Sequence, residues 1–230
     1  MFKGRFYAVI LYSLLLCNTC LAQYADGDRW YNNPLGFEPV KLHTSMGFIL
    51  PAIAVGAGLL FTAADKGGTH KMSVYIDNGY SWGYKYPYTF LPQINMGFDY
   101  QLRKWMSAGV ELELLYARDA WNNTGGVAIR PFARFYPVNN EKWQLYFESG
   151  GGFVYLVDQF PQPTTRDDRL GTQLNGITRY GIGAAFHVNE QVSVTGSVRH
   201  LHISNGDKKG AERNPSHDSN GFAVGASYRL

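Results

Sequence analysis

Near the C-terminus two side chains that can do chemistry together, His202 and Ser204, stand at the end of an alternating segment that begins near Val192. A serine hydroxyl is a weak nucleophile until a base takes its proton, and an imidazole does so best when a carboxylate holds its tautomer. Residues two apart on a strand share a face and lie about 7 Å apart along the backbone, within reach once the side chains lean together. Asp218 supplies a carboxylate: it opens the final alternating segment with the parity of Asn220, Phe222 and Val224, and an antiparallel return through 205–217 sets it beside His202. His200 and His202 also form an H-x-H pair, a spacing used at zinc sites, with His217 or Asp218 as third ligand. That reading leaves Ser204 and Asn205 without a part, so no metal and no cofactor is expected. The other reading of His200 is an interfacial histidine near lipid headgroups.

The period of the strand decides which way this chemistry points. Val192, Val194, Val198, His202 and Ser204 share one parity, and Ser193, Thr195, Ser197 and Arg199 share the other. The apolar face therefore carries the histidine and the serine. In a soluble protein that face is core; in a transmembrane barrel it is the outside, against lipid. A base and a nucleophile facing acyl chains suggest an enzyme whose substrate is a lipid.

The elements that must position these residues read as eight alternating segments, 71–83, 91–103, 105–118, 127–137, 142–157, 172–187, 191–204 and 218–230. In the second, Ile94, Met96 and Phe98 oppose Asn95 and Asp99; in the third, Val110, Leu112 and Leu114 oppose Glu111 and Glu113. The polar faces bring Glu111, Glu113 and Glu148 against Arg130, Arg134, Arg179, Arg199 and Arg229. Charges of both signs converging on one interior suit a small barrel lumen, where they can pair. Eight strands leave a lumen that side chains fill, so a channel is not expected. Short connections near 103–104, 137–141 and 188–190 alternate with longer ones at 84–90, 118–126, 158–171 and 205–217. That rhythm separates a periplasmic from an outer end and puts Ser204 at the outer one. The expected fold is all-β, an eight-stranded antiparallel transmembrane barrel over 71–230.

Composition agrees. The chain has 230 residues, of which 17% are charged and 15% aromatic, against roughly 25% charged in soluble domains. A net charge of +3, scattered along the chain, offers no nucleic-acid footprint. Residues 1–22 read as an export signal: Lys3 and Arg5 start it, Ala8 to Leu16 form its apolar centre, and Ala22 precedes the cut. Both cysteines, Cys17 and Cys20, fall inside it, so the mature chain would have neither disulfide nor thiolate chemistry. The extension 23–70 is less regular. It contains a nearly unbroken apolar run, Met46 to Ala63, interrupted by Pro51, Gly56 and Gly58. A bilayer-spanning helix, a plug, a periplasmic cap and a helix resting on the barrel are all open for it.

The run His202-Ile203-Ser204-Asn205-Gly206, with Asn214-Pro215 and an acid three residues beyond, resembles the PagL-type lipid A 3-O-deacylases. The resemblance is good over roughly 142–230, including Gly150-Gly151-Gly152 and Gly181-Ile182-Gly183, and holds over 71–141 by strand pattern alone. It implies an outer-membrane barrel acting on lipopolysaccharide, removing the ester-linked acyl chain at the 3-position of lipid A. Ser204 would be nucleophile, His202 base and Asp218 the orienting acid, with Asn205 and the N–H of Gly206 holding the oxyanion. The family's acid is usually Glu, one methylene longer, and Asp207 and Glu212 in the longer loop are alternative acids. Ser216 stands where a glycine is expected. A homodimer is a further expectation. The rival readings are a non-enzymatic barrel of the OmpX or OmpA kind, serving adhesion or envelope integrity, and an outer-membrane phospholipase.

Overall fold

A computed structural model of the chain describes residues 44–63, 72–83 and 89–230. The export segment expected at 1–22, and 23–43 of the extension, lie outside the described residues. Eight strands, β1 (Met72–Gly83), β2 (Phe90–Arg103), β3 (Met106–Arg118), β4 (Asn123–Asn139), β5 (Trp143–Phe160), β6 (Thr172–His187), β7 (Val192–Ser204) and β8 (His217–Arg229), follow one another around a closed barrel. Every neighbour pair is antiparallel, and β1 pairs with β8 to close it. No strand of the barrel keeps an open edge.

The period-two pattern is realised as expected. Ile76, Met96, Leu112, Ile129, Phe153, Ile182, Val194 and Val224 are exposed on the outer wall, while the opposite parity turns inward. Strands run past the expected ends where pairing continues beyond the apolar band. β4 starts at Asn123 rather than 127, so the outer connection expected at 118–126 shrinks to 119–122. The Asp119 carboxylate closes that turn by accepting the N–H groups of Trp121 and Asn122, both at 2.8 Å.

The lumen has two layers. Nearer the short turns lies the charged one. Arg130 bridges Glu111 and Glu148, and Arg134 joins Glu148 to Asp99. Arg179 reaches Glu111, Glu113 and Glu148, while Arg199 pairs with Asp77 through two hydrogen bonds. Arg229 is not part of this network: it stands at the short-turn mouth beside His187, 3.1 Å from Nε2. Toward the long loops the lumen is apolar, filled by Leu91, Leu115, Val154, Leu156, Ile177, Leu201 and Ile203. The inward neighbours of His202 on β7, Leu201 and Ile203, are thus packed in a dry core that holds the strand end rigid.

The apolar run of the extension forms a helix, α1 (Thr44–Phe61). It rests on the outer wall of the barrel, against β4, β5, β6 and β7. Gly47, Pro51 and Gly58 are buried against the barrel, and Phe48, Ile53, Leu60 and Phe61 are exposed on the other side. Among the described residues no helix is long and apolar enough to cross a membrane by itself. Of the four readings of this run, the helix resting on the barrel describes its place.

Candidate active site

The register of the last two strands sets the geometry. His202 faces Asp218 directly across the β7–β8 pair, and His200 faces Asn220. His202 Nδ1 donates to Asp218 Oδ1 at 2.7 Å, so the lone pair of the imidazole sits on Nε2. His202, Ser204 and Asp218 lie on the outward parity, yet they are only 8, 7 and 2% exposed. Polar groups buried on a barrel's outer wall cost free energy unless they are hydrogen-bonded, and these are.

Ser204 Oγ donates to Asn214 Oδ1 at 3.0 Å and accepts the N–H of Gly206 at 3.1 Å. The hydroxyl is thus held by Asn214 and Gly206, and the contact between a catalytic serine and its base often tightens only with substrate present. Asn214 also accepts the backbone N–H of Asn205 at 3.2 Å and donates to Asp207 Oδ1 at 2.8 Å. No role for Asn214 follows from strand period, because it lies in the loop; its place in the Asn214-Pro215 pair was the one signal available.

Asn205 does not point its amide at the serine. Its Nδ2 donates to Thr172 Oγ1 at 3.2 Å and to the carbonyl of Arg213 at 2.6 Å, tying the start of the loop to β6. Gly206, with φ 64°, takes the left-handed backbone that turns its N–H back onto Ser204. Ser216, at φ 52°, adopts the conformation a glycine would take. Of the alternative acids, Asp207 accepts from Asn214, and the Glu212 carboxylate folds over Gly210.

The loop bearing Asn214 is clamped from the 161–171 loop. Arg213, at the end of a 3-10 turn (Ala211–Arg213), donates to the carbonyls of Leu170 and Gly171 at 2.9 and 3.1 Å. Arg169 donates to the carbonyls of Asn214 and Ala211 at 3.3 and 3.5 Å, while Asp167 grips its guanidinium at 2.6 and 2.8 Å. Those hydrogen bonds from Arg169 hold the Asp167 carboxyl below the usual carboxylate range.

His200 is buried, with Nδ1 2.9 Å from Asn220 Oδ1, Nε2 3.6 Å from Asp218 Oδ1, and its ring against Tyr180. It is a neighbour of the acid rather than a headgroup contact. His217 has the inward parity, its ring packed on Phe160 at 5.3 Å, so it brings no third ligand to the H-x-H pair.

Comparisons with known proteins bear on the family and the fold. A family model described as lipid A 3-O-deacylase (PagL) matches residues 88–227. Among solved structures, Neisserial surface protein A is 14% identical with a TM-score of 0.52, covering 71% of this chain and all of that one. The outer membrane enzyme PagL is 15% identical with a TM-score of 0.47, covering 67% and 99%. Ail, the attachment invasion locus protein of Yersinia pestis, is 14% identical with a TM-score of 0.44, covering 70% and 99%. No curated protein sequence matches the chain. The likeness to the Neisserial protein shows the fold, a small outer-membrane barrel. The family match spans well over half of the chain and includes every strand from β2 to β7, the site loop and Asp218, and by that match this outer-membrane barrel belongs to the lipid A 3-O-deacylase (PagL) family.

Proposed function

We propose that this protein hydrolyses the ester-linked acyl chain at the 3-position of lipid A, with Ser204 as nucleophile, His202 as general base and Asp218 as its orienting acid. The observation that carries the reading is the 2.7 Å hydrogen bond from His202 Nδ1 to Asp218, on the outer wall beside Ser204. A barrel with a purely structural role gains nothing from placing that pair where lipid runs.

In this mechanism Ser204 Oγ attacks the ester carbonyl as His202 Nε2 takes its proton, and Asp218 stabilises the imidazolium. The carbonyl oxygen becomes an oxyanion, for which the N–H of Gly206, already directed at Ser204 Oγ, is the donor at hand. Asn205 acts by bracing the loop rather than by donating to the oxyanion. Collapse breaks the ester bond, and His202 returns the proton to the departing sugar oxygen. Water, deprotonated by His202, then releases the fatty acid from Ser204. Lipopolysaccharide in the outer leaflet is the partner, and an export segment over 1–22 suits that destination. A homodimer finds no support in the strand pairing, since the closed sheet leaves no strand edge for a second copy.

Mass spectrometry of lipid A from cells with and without the protein tests the reading. Wild type should remove one ester-linked acyl chain, and Ser204→Ala should remove none while keeping the heat-modifiable gel mobility of a folded barrel. Release by Ser204→Ala, or release from phospholipid with lipid A untouched, would overturn it.

A further inference from the structure

We infer that α1 is the side wall of the substrate lane, and that it makes the site select an unbranched acyl chain over one carrying a second chain. The inference rests on the proposed lipid A esterase reading and adds a specificity element to it. α1 lies ahead of the family-matched span 88–227.

The docking of α1 is built into its sequence. Proline has no N–H, so Pro51 leaves the Gly47 carbonyl without its helical partner four residues on. Ser149 on the outer wall of β5 donates to that carbonyl at 3.4 Å. At the same residue the helix touches β6: a Cβ on Gly47 would overlap the Thr178 methyl and lie 3.1 Å from both Thr178 Cβ and Oγ1. The far end is held as closely. A Cβ on Gly58 would lie 2.8 Å from Met106 and Trp105, and Arg103 donates to the carbonyls of Thr62 and Leu59 at 3.0 and 3.4 Å. A cation there also complements the helix dipole.

Thr178 is the cross-strand partner of His202, and Gly176 that of Ser204. Paired residues stand about 5 Å apart, and a helix is about 10–12 Å across with its side chains. Seated on Thr178, α1 therefore bounds the lane above His202 on its β6 side, and it also touches β7. Below the site the wall between α1 and β8 is apolar and exposed at Ile182, Phe186, Val194, Val198, Phe222 and Val224. An acyl chain whose ester sits at Ser204 must descend along this strip. With α1 on the β6 side of this strip, a second acyl group that branches from the chain toward that side meets the helix.

The test uses the full chain in detergent with two lipid A preparations that differ in whether the scissile acyl chain is branched, reading released acids by mass spectrometry. Wild type should favour the unbranched substrate. Gly47→Ala, which forces α1 off Thr178, should reduce that preference about tenfold, within the range that small steric changes produce. Gly47→Ala/Thr178→Ala should restore it, since the Thr178 hydroxyl makes no hydrogen bond among the described residues and its loss makes room for the new methyl. Gly56→Ala, with nothing within 4 Å, is the control and should behave as wild type. An unchanged preference in folded Gly47→Ala overturns the wall while leaving the esterase reading intact. If Gly47→Ala does not fold, Thr178→Ala alone must loosen the preference, and an unchanged ratio there overturns the inference. No release from either substrate by wild type removes the esterase reading and the inference together.

Discussion

At the scale of single residues, the proposed acid of the site is set by register. His202 and Asp218 are direct partners across two strands, and the shorter carboxylate reaches the imidazole because the backbones are already adjacent. Asp218→Asn should lower kcat/KM by about 10⁴-fold, the scale seen when a triad acid becomes an amide and the wrong tautomer is favoured. Asp218→Glu should keep measurable activity, while Asp207→Asn should act only through Asn214 and lose far less. Equal losses in Asp207→Asn and Asp218→Asn would remove Asp218 from the role. Ser216 offers a stability test. Its φ of 52° belongs to the region where a side chain crowds the backbone, so Ser216→Gly should stabilise the loop by about 1 kcal/mol, read as slower proteolysis at 205–217. Parity made His202, Ser204 and Asp218 legible in the sequence. Asn214 was not, because a loop residue has no period to aim it.

At the scale of elements, two loops act as one. Arg169 of the 161–171 loop donates to a carbonyl of the segment that carries Asn214, Arg213 of that segment donates back to two carbonyls of the 161–171 loop, and neither arginine touches the serine itself. Removing a clamp should therefore move Asn214 without disturbing the strands. Arg169→Ala and Arg213→Ala should each lower kcat by up to about 100-fold, the cost of roughly an ångström of misplacement, with the barrel's unfolding midpoint unchanged. A normal kcat in both variants would mean that the loop holds its shape alone. The strands themselves were legible because each shows one apolar and one polar parity. α1 was legible as an apolar run but not as a wall element. Its docking depends on the absence of side chains at Gly47 and Gly58 and of an N–H at Pro51, features that carry no hydrophobic signal.

At the scale of the whole molecule, the barrel encloses a charged layer under a dry one, and the site stands on the outer wall at the level of the dry one. The sequence showed the charges converging but not the division. Leu201 and Ile203 share parity with Arg199, and period alone does not tell an inward leucine at the top from an inward arginine below. The charged layer should be the part that resists mutation least. Arg179 is almost fully buried and serves three carboxylates, of which Glu113 has no other cationic partner among the described residues. Deleting one member of such a cluster strands a buried charge, which costs about 3–5 kcal/mol. Arg179→Met should lower the unfolding free energy of the barrel in lipid vesicles by that amount, read as a lower urea midpoint. Arg179→Met/Glu113→Gln should recover part of it, because the unpaired carboxylate is gone. Activity at temperatures where both variants remain folded should stay close to wild type, since Leu201, Ile203 and the rest of the apolar layer separate this cluster from His202. A loss of activity in folded Arg179→Met would show that the two layers are coupled and that the lumen charges tune the outer wall.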